Sequence, residues 1–144
     1  MSAEPPTPPA PRPKGKGAAL HLLVLLLFLG LWTWKLVEPN PVPEELARRL
    51  SGDERFAAAK LLHAGGYAFL TFLAVTLPVP NYWRWFLAGL LALHGAVTEI
   101  AQTFVPNRYG SARDVLIDWG GVLLGVLAWK VLRRNGSTAA EFFV

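Results

Sequence analysis

The sequence predicts an all-α membrane protein, a bundle of four transmembrane helices, on three observations. Four long apolar runs are separated by short polar stretches. As helices, at about 1.5 Å per residue, each is long enough to match a hydrocarbon core about 30 Å thick. The chain of 144 residues is 53% hydrophobic and only 17% charged, with a mean hydropathy of +0.34, high for a soluble domain. Finally, every Trp falls toward the end of a run: Trp32 and Trp34, Trp83 and Trp85, Trp119, and Trp129. Aromatic belts at the two membrane interfaces have this pattern.

Composition also excludes. Without Cys there is no disulfide, thiolate metal site or Cys nucleophile. The net charge of +4 is scattered over the ends of apolar runs and forms no stripe. It therefore fits anionic lipid headgroups, and nucleic acid is not an expected partner.

In chain order, residues 1–17 form a Pro-rich, basic tail with Arg12, Lys14 and Lys16 near its end, expected to be disordered. Residues 18–132 form the membrane domain. Its first helix spans about 18–37 and is followed by Glu38-Pro-Asn-Pro-Val-Pro43, with no small-residue cleavage pattern, so it reads as an uncleaved span. A polar connector follows, in which Pro43 to Leu50 suits a short surface helix with Glu44 and Glu45 in its first turn. The second helix spans about 61–79 and ends at Pro78 and Pro80. A tight return through Asn81-Tyr82 leads into the third, about 83–105, and the fourth spans about 115–132. Residues 133–144 are expected as a C-terminal tail.

Up-down topology places the start of the second helix, the end of the third and the start of the fourth on one membrane side. At about 100° per residue, Lys60, His63, Tyr67, Thr71 and Ala74 share one face of the second helix. Ala88, Ala92, Gly95, Glu99 and Gln102 share one face of the third, and Asp114, Asp118, Gly121 and Gly125 one face of the fourth. Each stripe is polar at its outer end and mostly small deeper in, so the three should face one another. Convergence would gather His63, Glu99, Gln102, Asp114 and Asp118 around one pocket, closed by the loop that carries Arg108, Ser111 and Arg113. Ionisable groups inside a membrane mark functional sites by default.

Several alternatives stand beside that one. Arg108 or Arg113 could pair with Glu99 or Asp118 and simply fix the bundle. His63, Glu99, Asp114 and Asp118 have ligand types suited to a metal, but the flanking Arg residues oppose a cation, so no metal is expected, and no cofactor signature is present. Asp114 also suits the cap of the fourth helix. His94 lies on a face away from Glu99 and reads as a hydrogen-bonded packing residue, with a proton relay as the alternative. Gly65-Gly66 fits close packing, since the rest of a phosphate-loop pattern is missing.

At these residues the chain resembles the VanZ-like family of small bacterial membrane proteins, from about Lys60 to Leu132. Lys60-Leu-Leu-His63-Ala-Gly-Gly-Tyr67 is similar to the family's Asp-Lys-x-x-His-x-x-x-Tyr pattern. Glu99-Ile-Ala-Gln102-Thr-Phe-Val-Pro106-Asn-Arg108-Tyr-Gly-Ser111-Ala-Arg-Asp114 is similar to its Glu-x-x-Gln-x-x-x-Pro-x-Arg-x-x-Ser-x-x-Asp pattern. Two positions depart: Ala59 stands where the family has Asp, and Asp118 where it has Asn. The resemblance implies a polytopic protein of the bacterial cytoplasmic membrane, tied in some members to reduced teicoplanin susceptibility.

The function expected is binding of an anionic lipid or lipid-linked envelope precursor at the outer face. Lys60, Gln102, Arg108, Ser111, Arg113 and Asp118 are the candidate ligand-binding residues. His63, Glu99 and Asp114 are the candidates for moving protons, should phosphate or glycosyl chemistry occur. Binder and enzyme both stay open, because Ser111 has no adjacent base in sequence. The other class is a noncatalytic partner of a transporter or envelope synthase, with the charges as structural glue. Basic residues divide evenly between the two membrane sides, so orientation rests on the basic flank of the first helix, which puts both termini in the cytoplasm. The absence of native Cys allows a direct check. Single Cys residues at Ser51 and Ser137 should label with opposite accessibility in intact cells, Ser51 from outside; equal external labelling of both would reverse the assignment.

Overall fold

The computed structural model describes residues 15–39, 44–106 and 108–141. The expected disorder of the first fourteen residues, and the positions of Pro43 and of Phe142 to Val144, lie outside them. The described chain forms α1 (Gly15–Val37), α2 (Glu44–Arg49), α3 (Gly52–Thr76), α4 (Asn81–Gln102) and α5 (Ala112–Glu141), with no strand among the described residues. Among the described residues, three stretches are long and apolar enough to cross a membrane: Lys16–Val37, Gly52–Thr76 and Ala112–Asn135. α4, with 22 residues, has the length, but its polar content keeps it out of that group.

Most boundaries differ from the sequence expectation: α1 begins at Gly15 rather than 18, so residues 15–17 belong to a helix and not to the expected disordered tail, and α4 ends at Gln102 rather than 105. α3 begins at Gly52 rather than near 61 because Ser51 and Glu54 form a capping box: the Ser51 N–H donates to Glu54 Oε2 (2.8 Å) and the Glu54 N–H to Ser51 Oγ (3.3 Å). It ends at Thr76 rather than 79, because Leu77, next to Pro78, is extended (φ −54°, ψ 144°). Pro80 then starts α4 two residues before the expected point. α5 starts at Ala112 and runs through Arg133 and Arg134 to Glu141, where a tail was expected. Nothing in that polar stretch breaks a helix except Gly136, whose penalty is only about 1 kcal/mol.

The molecule is packed inside out for water. The buried interior is small: Tyr67, Leu70, Thr71 and Val75 from α3 are its largest fully enclosed side chains, joined by Leu25, Trp32 and Leu36 of α1, Ala88 and Leu91 of α4, and Val122 and Val126 of α5. Around it stands a continuous apolar exterior, with Leu20 through Leu31 on α1, Trp83 through Ile100 on α4 and Leu116 through Leu132 on α5 contributing exposed side chains. Lipid is the solvent such a surface fits.

α3 is the central helix. It packs against α1, α4 and, most extensively, α5. α3 and α5 run parallel at very close approach, because Gly121 lies over the Ala64 carbonyl and Gly125 over the Ala68 carbonyl. A Cβ on either glycine would come within 2.4 Å of that oxygen. Small residues four apart permit this approach in a membrane, where apolar burial does not drive helices together. On the other side of α3, the Trp32 indole of α1 fills the space a Cβ at Gly66 would need. The expected packing role of the Gly65-Gly66 pair thus belongs to Gly66, while nothing approaches Gly65.

These contacts generate a paired test. Gly121→Ala should destabilise by about 1–3 kcal/mol, the scale of overpacking. Gly120→Ala, whose Cβ meets nothing within 4 Å, should be neutral or stabilising by up to about 1 kcal/mol. Thermal unfolding in detergent separates them; equal midpoints would show that the α3–α5 contact does not constrain the fold.

Candidate functional site

The register set by the glycines places one residue pair after another across the α3–α5 seam. Lys60 meets Asp114, and one turn deeper His63 meets Asp118. The first pair is an ion pair between the Lys60 ammonium and Asp114 Oδ1, at the partly exposed edge. The second is buried: His63 Nδ1 lies 2.9 Å from Asp118 Oδ1, and the Asp118 side chain is 0% exposed. Asp118 fits there because α4 presents Gly95, where a Cβ would approach the Asp118 side chain at 3.0 Å. Glu99 enters from the last turn of α4, with Oε1 3.8 Å from His63 Nδ1. Ligand atoms of His63, Glu99 and Asp118 all lie within 4.8 Å of one another.

The loop from α4 to α5 closes over this group. Gly110 passes so near the Glu99 carbonyl that no side chain would fit. That approach lets the Ser111 N–H donate to Glu99 Oε2 (2.8 Å). Ser111 also caps α5: its carbonyl accepts the N–H groups of Asp114 and Val115, and its hydroxyl that of Arg113 (3.2 Å). The cap expected of Asp114 is therefore made by Ser111. Asp114 stands in the first helical turn, where its charge faces Lys60 and suits the helix N-terminus.

Gln102 and Arg108 serve the end of α1. The Gln102 amide (3.0 Å) and the Arg108 Nη2 (2.6 Å) both donate to the Leu36 carbonyl. The last carbonyls of a helix have no partner within it, and near lipid they need one. A cation there also favours the helix dipole. Partial burial pulls the Arg108 guanidinium below its ordinary pKa, while the Glu99, Asp114 and Glu38 carboxylates pull the other way. Arg113, expected at the pocket, is exposed on the outer side of the first turn of α5.

Behind the site runs a second polar chain. Thr33 donates its hydroxyl proton to the Leu29 carbonyl (2.7 Å), so its oxygen accepts from His94 Nε2–H (3.0 Å). That tautomer leaves His94 Nδ1 to accept the Tyr67 hydroxyl (2.8 Å). Tyr67 also lies 3.2 Å from Thr98 Oγ1. His94 is thus the hydrogen-bonded packing residue its position indicated, tying α1, α3 and α4 together. Its link to Thr33 is invisible in the sequence because α1 carries almost no polar pattern.

Beside Glu99, a groove of about 270 Å³ opens between α4 and α5, walled by Ala96, Ile100, Thr103, Ser111 and Val115. A larger cavity, about 580 Å³, lies at the other end of the bundle, among Asn81, Trp85, Trp129, Lys130, Arg133 and Arg134. It holds none of the buried acids, so the smaller groove is the one that adjoins chemistry.

With the geometry in place, comparison gives one result: a family model, VanZ/LLP1, matches residues 18–133. No curated protein and no solved structure matches the chain.

Asp118 is the test of the buried pair. Asp118→Asn keeps an oxygen for His63 Nδ1–H and removes a desolvated charge, so stability should stay within about 1 kcal/mol of wild type or rise. Asp118→Ala leaves the histidine donor unpartnered and should cost about 1–3 kcal/mol. If the thermal midpoints of the two variants fall equally, the carboxylate charge itself holds the seam.

Proposed function

The chain belongs to the VanZ/LLP1 family, and from that premise we propose that it binds an anionic lipid or lipid-linked headgroup at one face of the cytoplasmic membrane. Among the described residues, three helices are long and apolar enough to span the bilayer. α4 completes a fourth span in this proposal. Its 22 residues reach about 33 Å at 1.5 Å each, and it returns from α3 through the short turn at Leu77 to Pro80. Its polar groups Thr98, Glu99 and Gln102 are buried, while Trp83, Trp85, Leu90, Leu93 and Val97 face outward.

The observation that carries the proposal is the groove between α4 and α5. It has an apolar wall at Ala96, Ile100 and Val115 and ends at Glu99 and Ser111, within one helical turn of the exposed Arg113. A lipid enters such a groove sideways, its chain on the apolar wall and its headgroup at the rim. Exposed Phe104 and Tyr109 in the covering loop suit the interface. Ser111 is occupied as a cap, which favours binding over nucleophilic chemistry. The opposite end, where Arg84 and Arg133 lie over Trp129 and Lys130 over Trp85, fits the cytoplasmic headgroups. That supports a site at the outer leaflet with both termini inside, where a link to teicoplanin susceptibility would act on an envelope precursor.

A second function, structural glue within a larger envelope assembly, is favoured by the Lys60–Asp114 and His63–Asp118 pairs, which join α3 to α5 directly. Arg113 separates the two. Native mass spectrometry of the purified protein should show co-bound anionic lipid. Arg113→Gln should weaken its retention about fivefold, the equivalent of roughly 1 kcal/mol for one interfacial cation, with an unchanged thermal midpoint. Unaltered lipid retention in Arg113→Gln, or no anionic lipid at all, would leave the glue.

A further inference from the structure

We propose that His63, Glu99 and Asp118 form a binding site for one divalent transition-metal ion, with Zn²⁺ or Mn²⁺ as the fitting chemistry. The cluster is buried, and its three residues come from three different helices. Two of its acceptor atoms, Glu99 Oε1 and Asp118 Oδ2, are enclosed and have no hydrogen-bond partner, while Glu99 and Asp118 are 3% and 0% exposed. Buried carboxylate oxygens at this depth require a partner, because each strands a desolvated charge.

The cations that sequence set against a metal are committed elsewhere. Lys60 is held by Asp114, Arg108 donates to the Leu36 carbonyl, and Arg113 is exposed. Two carboxylates and one imidazole therefore face one another with no Lys or Arg hydrogen-bonded among them. A divalent ion matches that charge. The geometry is close: His63 Nδ1 lies 2.9 Å from Asp118 Oδ1 and 3.8 Å from Glu99 Oε1, and ligand atoms of the three residues all lie within 4.8 Å of one another. Ligands on one ion at about 2.0–2.2 Å stand roughly 3–3.5 Å from one another. Binding in this proposal draws Glu99 Oε1 inward toward the other two ligands. His63 then carries its proton on Nε2 and presents the Nδ1 lone pair, so the imidazole binds as a neutral ligand. One nitrogen with carboxylate oxygens suits Zn²⁺ or Mn²⁺ better than Mg²⁺, which keeps its waters and prefers oxygen ligands. Three protein ligands leave a coordination position for water or another donor.

The proposal stands apart from lipid binding, since none of the three ligands has to touch a headgroup. The experiment uses the full chain with a tag free of histidine, stripped by chelator in detergent and titrated calorimetrically with Zn²⁺, Mn²⁺ and Mg²⁺. Wild type should take up one Zn²⁺ or Mn²⁺ per chain and gain thermal stability on doing so, with no saturable response to Mg²⁺. Asp118→Asn and Glu99→Gln should each weaken that uptake at least about tenfold while unfolding no earlier than metal-free wild type. His21→Ala, at the far end of α1, should keep the site. X-ray absorption of the zinc-loaded wild type should show one imidazole among oxygen ligands, which decides the matter even if a variant fails to fold. Absence of one-to-one uptake, uptake unchanged in both carboxylate variants, loss confined to His21→Ala, or a spectrum without imidazole would each overturn the site.

Discussion

The contact of Gly121 and Gly125 with the Ala64 and Ala68 carbonyls sets the rest of the structure. Lipid tails are as apolar as leucine, so membrane helices associate through close packing and polar links. Here packing comes first. It fixes α3 and α5 in a parallel register, and that register decides which polar residue meets which. Shift either helix by one turn, and Lys60 no longer faces Asp114 nor His63 Asp118. The small interior follows from the same contact, since helices this close leave little room for large side chains.

Charge is then distributed by depth. The ion pair that retains some exposure, Lys60 with Asp114, sits at the edge; the more enclosed pair, His63 with Asp118, needs only one formal charge. Helix ends are treated with equal economy. Two donors from the α4–α5 region serve one α1 carbonyl, and the Ser111 N–H, at the cap of α5, serves the buried Glu99 of α4. A loop that looks like a ligand-binding cover in sequence is therefore also the device that closes two helix termini against lipid.

How far the sequence carried depends on which periodicity was present. The apolar runs, the interfacial Trp residues and the polar stripes on the second, third and fourth predicted helices read directly, because spacing near 3.6 puts His63 with Tyr67, and Asp114 with Asp118, on one face. The glycines at 121 and 125 read as close packing for the same reason. The start of α3 at Gly52 was hidden because polar side chains there mask a helix that its capping box begins. Arg108 and Gln102 looked like ligand groups because their partner is a backbone carbonyl, Leu36 O, which no sequence pattern marks. Arg113 differs from Asp114 by one position, and on a helix one position is about 100°, enough to move it from the cluster to the outer surface.

Glue alone does not account for the deepest group. An interhelical link needs one donor and one acceptor, and His63 with Asp118 Oδ1 already supplies it; Asn at position 118 would do so without charge. Glu99 adds a second carboxylate at 3.8 Å from the same nitrogen. Its Oε2 is satisfied by Ser111, yet Oε1 stays enclosed without a partner, as does Asp118 Oδ2. Two acids pressed toward one imidazole repel each other, and repulsion of this kind opposes the close α3–α5 contact on which the fold rests. A bundle held only for rigidity would gain by losing one of them. Their presence side by side, with Lys60 and Arg108 engaged at Asp114 and Leu36, is the arrangement expected where a positive ligand completes the cluster.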